Sequence, residues 1–317
     1  MIASDRIKYF PIMMFAIVMG LSGLTIVYQK AAAWLGFPAI IASFLILVVT
    51  VIFLIIVSIY GLKMLFYFEE VKHEFAHPIR INFFAAASIS LLLLSIVYQP
   101  LHLVLAQILW YAGAALQTFL TFYTISFWIN KNMEIAHSNP AWFIPIVGNV
   151  IVPIGGFGFV DLHVLIYFFS VGIFFWIVLL PIIVNRIIFH HQLAQKFLPT
   201  LFILIAPPAV GVVSYIKITE QFDLFASFLY SIALFFTLLL LFMIKNFLRL
   251  QFFISWWAFT FPLAAITIAS LAIYHKTHAV FYGVIATFLL VVSTCVVAFV
   301  GYKTIRYVFK KEICIAE

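Results

Sequence analysis

The chain has 317 residues, of which 67% are hydrophobic and only 9% charged, with a mean hydropathy of +1.24. A soluble domain carries roughly 25% charged residues, so this composition excludes a soluble globular protein and points to an all-α polytopic membrane protein. The formal net charge of +7 requires no nucleic acid; it reads as juxtamembrane anchoring against anionic lipid.

Arg6 and Lys8 precede the first apolar run, as in a signal peptide. No small-residue cleavage site closes that run, and Gly20 and Gly23 lie inside it, so it reads as an uncleaved first span. Runs near 20 apolar residues predict ten spans, at approximately 9–28, 38–62, 81–98, 101–129, 142–158, 162–185, 198–215, 222–244, 253–274 and 279–302. An even number of spans places both termini on one side. That side collects 14 of the 17 Lys and Arg residues, and the other side holds Lys30, Lys217 and Lys276. The positive-inside rule then predicts cytoplasmic termini for a multi-pass protein of the cell (inner) membrane.

Paired in order, the spans make five hairpins in one membrane domain covering 1–317, at about 9–62, 81–129, 142–185, 198–244 and 253–302. The second helices, such as LLLLFMIK near 238–245 and LLVVSTCVVAFVG at 289–301, read as apolar all round and lipid-facing. The first helices differ. They carry Gly20 and Gly23, then Pro145, Gly148, Pro153, Gly155 and Gly156, then Pro207, Pro208 and Gly211, then Pro262; the third span relies on Ser88 and Ser90 instead. A Pro inside a helix removes a hydrogen bond and kinks it, and within a bilayer a freed carbonyl needs protein or water. Kinks at Gly20, Pro145, Gly148, Pro153, Pro207, Pro208 and Pro262 therefore predict that the odd-numbered helices share water around a central pore, with the even-numbered helices outside. The competing explanation is that Gly and Pro are simply commoner in membrane helices.

All ten acids, Asp5, Glu69, Glu70, Glu74, Glu134, Asp161, Glu220, Asp223, Glu312 and Glu317, fall in loops, tails or the first residues beside a span. Ion-coupled carriers and cation-selective rings usually hold an intramembrane carboxylate. A neutral, kinked interior suits an anion instead, held weakly by helix-dipole ends and freed backbone groups. The nine histidines sit at membrane edges without the arrangement of a known ligand motif, and Cys295 and Cys314 form no CxxC, so no metal or other cofactor is expected. Neither GxSxG nor HExxH is present, so the chain reads as no enzyme.

The densest local signal is Ser255-Trp256-Trp257-Ala258-Phe259-Thr260-Phe261-Pro262. The two Trp suit an interfacial anchor. Phe261 stands directly before Pro262, where an apolar side chain can block ions by bulk and dewetting, although in a chain with 38 Phe residues composition alone gives this little weight.

Trp-Trp-Ala-Phe-Thr-Phe-Pro at 256–262, with Glu74-Phe75-Ala76-His77-Pro78-Ile79-Arg80-Ile81-Asn82-Phe83-Phe84 and Asn139-Pro140-Ala141-Trp142-Phe143-Ile144-Pro145-Ile146-Val147-Gly148-Asn149, resembles the tellurite-resistance/dicarboxylate transporter family. That family includes bacterial tellurite-resistance proteins, fungal malate permeases and plant slow anion channels. The resemblance spans essentially the whole chain. It implies a pore of five odd-numbered helices inside five even-numbered ones, homotrimers with one pore each, and a gating Phe in the ninth helix that maps onto Phe261, with Phe259 as the fallback. His77 and Arg80 are implied for a cytoplasmic vestibule, or else Pro78 starts the third helix with His77 as its cap. The expected function is a passive channel for small inorganic anions; the alternative is a carrier for C4-dicarboxylates such as malate, or a tellurite-related exporter. Two departures stand out. The third span lacks a Pro or Gly kink, and only about 15 residues follow the last span, so phosphorylation control through long tails is not expected.

Overall fold

The computed structural model describes residues 3–314; Glu317 and the side chain of Asp5 lie outside the described part. Helix follows helix along the chain: α1 (Phe15–Leu35), α2 (Ala39–Phe66), α3 (Phe68–Ala76), α4 (Ala85–Tyr98), α5 (Leu103–Asn130), α6 (Phe143–Val147), α7 (Val152–Gly156), α8 (Leu162–Phe189), α9 (Ala206–Thr219), α10 (Leu224–Phe242), α11 (Thr260–Thr277) and α12 (Val280–Phe309). Among the described residues, nine helical stretches are long and apolar enough to cross a membrane. The expected fifth span differs. Pro140–Gly156 is a shorter apolar stretch, divided into a 3-10 turn, α6, a second 3-10 turn over Gly148–Ile151, and α7.

Burial sorts the stretches into two classes. In the four long ones built on α1, α4, α9 and α11, between 67% and 83% of the most apolar window is buried, whereas α2, α5, α8, α10 and α12 fall between 17% and 39%. Pro140–Gly156 belongs with the first class, since all of it but Ile154 is buried. These inner elements close on one another: α1 packs on α4, α4 on α6 and α7, α7 on α9, α9 on α11, and α11 back on α1. Each outer helix packs against the inner element before it, and α5, α8, α10 and α12 also pack against the next.

The two classes start differently. Every inner element opens as a 3-10 helix: Ile12–Met14, Arg80–Phe83, Pro140–Trp142, Gln195–Ile205 and Ile254–Phe259. Only then does it widen into α-helix. The first N–H groups of an α-helix have no partner within it, so a Pro there forfeits nothing. Pro153, Pro207, Pro208 and Pro262 all occupy that first turn, after a 3-10 segment. They mark where 3-10 becomes α instead of kinking a continuous helix. The third element makes the same transition without a Pro, and Ser88 and Ser90 return hydrogen bonds to the Ala85 and Ala86 carbonyls.

Gly20 introduces no break, because α1 runs uninterrupted from Phe15 to Leu35. What it permits is contact. A methyl group at Gly20 would collide with the Thr260 side chain, and one at Gly23 would lie 2.8 Å from the Ala264 Cβ and 3.2 Å from Phe261 Cδ2.

Candidate functional site: an apolar cavity on the ring axis

All five inner elements contribute to one cavity of about 70 Å³. Ala16 and Met19 come from α1, Phe83 and Ile89 from the third element, Phe143 and Gly148 from the fifth, Pro207 and Val210 from the seventh, and Phe261 and Pro262 from the ninth. Walls from five successive ring members place it on the axis. No ionisable side chain lines it. Trp257, the one lining residue with a polar side-chain atom, turns that atom away and donates from Nε1 to Thr304 Oγ1 at 2.9 Å. A cavity of this size has room for a few waters, but without polar partners it does not hold them. Such an apolar constriction resists ions by dewetting.

The sequence-derived residues separate at this cavity. Phe261, Gly148, Pro207 and Pro262 line it. Phe261 is 7% exposed, and its ring lies over Gly23 of α1. Phe259, two residues earlier, does not line the cavity; it packs edge-on against Phe202 and Phe247 at ring separations of 4.8 and 5.7 Å. Gly20, Pro145, Pro153 and Pro208 are not among the lining residues. His77 and Arg80 lie where the third element begins, both exposed. His77 Nδ1 accepts from the backbone N–H of Ile79 (3.1 Å) and Arg80 (3.3 Å), which is a cap at the start of that element.

The freed backbone of the fifth element is satisfied by residues that the sequence reading passed over. Gln117 Nε2 and Thr121 Oγ1, both on α5, donate to the Pro145 carbonyl at 2.8 and 2.7 Å, and Gln117 Oε1 accepts from Ser88 Oγ at 2.6 Å. Asn149 donates to Thr121 Oγ1 and to the Ile146 carbonyl. Trp110, also on α5, donates to the Val152 carbonyl at 2.9 Å. The outer helices are therefore not apolar all round. Their buried faces carry Gln117, Thr121, Thr237, Ser293 and Thr304, and the available signal was a polar residue recurring about once per turn or two within an otherwise apolar span.

Of the acids expected in loops, tails or beside spans, Glu69, Glu70 and Glu74 fall within helix α3, and Glu74 is buried. Glu74 in α3 is 4% exposed; its carboxylate accepts from Lys63 Nζ at 2.8 Å, from Tyr60 Oη at 3.2 Å and from the Ile12 backbone N–H at 2.8 Å. Lys63 also donates to the Phe10 carbonyl at 2.8 Å. This pair fastens the start of the first inner element to the end of α2 and lies away from the cavity. Among the described residues no cluster of three or more His, Cys, Asp or Glu side chains could hold a metal ion.

A ring of buried, 3-10-opening elements inside a sleeve of apolar helices, around an axial cavity free of charge, defines the protein as a multi-pass helical membrane protein organised about a central axis. A family model described as "SLAC1: Voltage-dependent anion channel" matches residues 9–305, and the chain belongs to that family. It is 29% identical over 308 residues to the S-type anion channel SLAH3 of Arabidopsis thaliana, covering 95% of this chain and 48% of that protein. With the S-type anion channel SLAH2 of the same plant it shares 30% identity over 270 residues, 83% and 52% of the two chains. With the tellurite resistance protein TehA homolog of Haemophilus influenzae it shares 26% over 268 residues, 82% and 80%. The chain spans about half the length of these plant relatives.

Proposed function

We propose that this protein is a passive anion channel of the cell (inner) membrane. In this reading ten crossings form five hairpins, the inner elements line the pore, both termini are cytoplasmic, and three copies associate with one pore each. The observation that carries the reading is the uncharged axial cavity bordered by Phe261. A carboxylate ring would repel an anion and a fixed cation would bind it too tightly to leave; the cavity walls have neither. The names of the plant relatives point to the same substrate class. An inside-negative potential drives monovalent anions outward with about 2.3 kcal/mol per charge per 100 mV.

Phe261 is the obstruction in this reading. Its ring fills space between α1 and α11, and Phe259 has no comparable access to the axis. Phe261→Ala is expected to raise anion conductance several-fold in voltage-clamp recordings in chloride or nitrate, with Phe259→Ala as the comparison. Unchanged current in Phe261→Ala at normal surface expression removes Phe261 from the role. Counterflow in proteoliposomes separates the channel from a C4-dicarboxylate or tellurite-related carrier: saturable exchange of labelled malate supports the carrier, and ohmic chloride current supports the channel.

A further inference from the structure

Two of the three cations on the lightly charged side of the chain belong to the axial face of the ring. Met19 of α1 lines the cavity, and Lys30 follows it by 11 residues; Ala206 of α9 lines the cavity, and Lys217 follows it by 11 residues. Eleven residues are three turns of α-helix, so each lysine repeats the direction of its cavity residue about 16 Å further along the helix. The helices that carry them are not ring neighbours: α1 packs on α4 and α11, and α9 on α7 and α11. The charge of Lys217 acts on Lys30, in keeping with the shared direction that the register gives both side chains.

Their surroundings leave the charges available. Both lysines are half-buried. Lys30 Nζ sits 4.8 Å from the ring of Trp34, which stacks on His275 at 4.5 Å, and Lys217 Nζ sits 5.1 Å from the ring of Phe157. Among the described residues neither ammonium makes a hydrogen bond or ion pair, and the carboxylate acting on Lys217 is the exposed Glu220 at the α9 C-cap. Cations near helix C-termini also offset the helix dipole, but that role does not require two of them to converge against their mutual repulsion.

Resting on the channel reading above, we infer that Lys30 and Lys217 form a binding site for a small monovalent inorganic anion at the mouth where the inner helices end, concentrating the ion before it reaches Phe261. An anion between the two ammonium groups relieves their repulsion and finds N–H donors whose present neighbours are aromatic rings. Cation-lined clefts with apolar walls raise local counter-ion concentration by about tenfold or more.

The test uses the full chain in proteoliposomes and planar bilayers, with Lys30→Gln/Lys217→Gln and Lys30→Arg/Lys217→Arg double variants. At low chloride, the Gln pair is expected to cut current carried by anions arriving from the lysine side by at least about threefold, to affect the opposite direction less, and to approach wild type as salt shortens the screening length. The Arg pair should retain wild-type rectification. Iodide quenching of Trp34, isolated by difference from Trp34→Phe, reports on the site without conduction. In the wild type, chloride should relieve that quenching and gluconate should not; in the Gln pair the Trp34 component should fall at least about twofold. If the wild type conducts but the Gln pair changes neither rectification nor quenching, the site is overturned and the channel reading stands. If the wild type passes no anion current, the channel reading fails, and chloride relief of quenching still decides the site. Indifference of wild-type quenching to chloride overturns the site even if the Gln pair fails to fold.

Discussion

The inner and outer helices draw on similarly apolar sequence and are built by different rules. Outer helices are single α-helices of 19 to 30 residues, and three of them begin with a side-chain cap: His102 for α5, Asp161 for α8 and Asp223 for α10. Inner elements enter as 3-10 helix and turn α part-way, and the fifth has carbonyls satisfied by donors on α5. The outer set is stable element by element, because lipid rewards any helix that closes its own hydrogen bonds. The inner set depends on its neighbours, and that dependence lets a broken backbone survive beside an axial cavity.

The sharpest way to break this comparison is at Glu74, which ties the first inner element to α2. Glu74→Ala leaves Lys63 buried with the Phe10 carbonyl as its hydrogen-bond acceptor, and removing one member of a buried pair costs about 3–5 kcal/mol. Thermal unfolding in detergent should fall accordingly, while Glu69→Ala, which breaks only the exposed pair with Lys72, should leave it unchanged. Equal effects of the two would mean that the inner element is not held by this contact.

A second test lies on α5. Gln117→Leu with Thr121→Val strips both donors from the Pro145 carbonyl, and an unpaired buried acceptor costs about 1–3 kcal/mol. Denaturant unfolding should register that loss. Thr287→Val on the exposed face of α12, where the hydroxyl only returns a bond to the Gly283 carbonyl, should be nearly silent. Gly23→Ala is expected to cost a similar or smaller amount, about 1–3 kcal/mol for overpacking. It should also shift Phe261, so a change in conductance accompanies the lost stability; unaltered conductance would place the Phe261 ring free of α1.

Much of the sleeve was legible in the sequence, because apolar runs in lipid announce themselves by length. Their ends were not: α2, α8 and α12 run to Phe66, Phe189 and Phe309, past the predicted limits of 62, 185 and 302. Lys63, Arg186, Lys303 and Arg306 end a hydropathy scan, yet long cationic side chains lay their stems along an apolar surface and let the helix continue. For the ring, the Pro and Gly positions marked the correct elements but a different geometry. A Pro in the first turn of an α-helix and a Pro that kinks one are the same letter, and only the preceding 3-10 segment distinguishes them. The Lys63–Glu74 pair joins residues that each read as loop charges. Phe261 was singled out beside Phe259 by its neighbour Pro262, whereas Gln117 and Thr121 were hidden because single polar residues in an apolar run do not say what they face.

The gentlest test concerns the carboxylate caps, Asp161 and Asp223, which begin the outer helices α8 and α10. Asp223 accepts from Tyr215 Oη and from the backbone N–H of Phe225 and Ala226, at 3.0 and 3.1 Å for the last two, and these bonds, the tyrosine's first, hold its carboxyl below the usual range. A depressed carboxylate contributes stability that is complete above its unfolded pKa and is lost as pH falls through the lower folded value. Exchange at the Phe225 and Ala226 amides, corrected for intrinsic rates, should therefore be flat from neutral pH down to the ordinary carboxylate range and accelerate only below it. Asp223→Asn keeps a capping oxygen but cannot titrate, so its protection should lose the acid-side step. The third inner element, which begins without a carboxylate cap, should show no such step at the Ala85 and Ala86 amides. A step there would mean that the two kinds of helix start do not differ in what holds them.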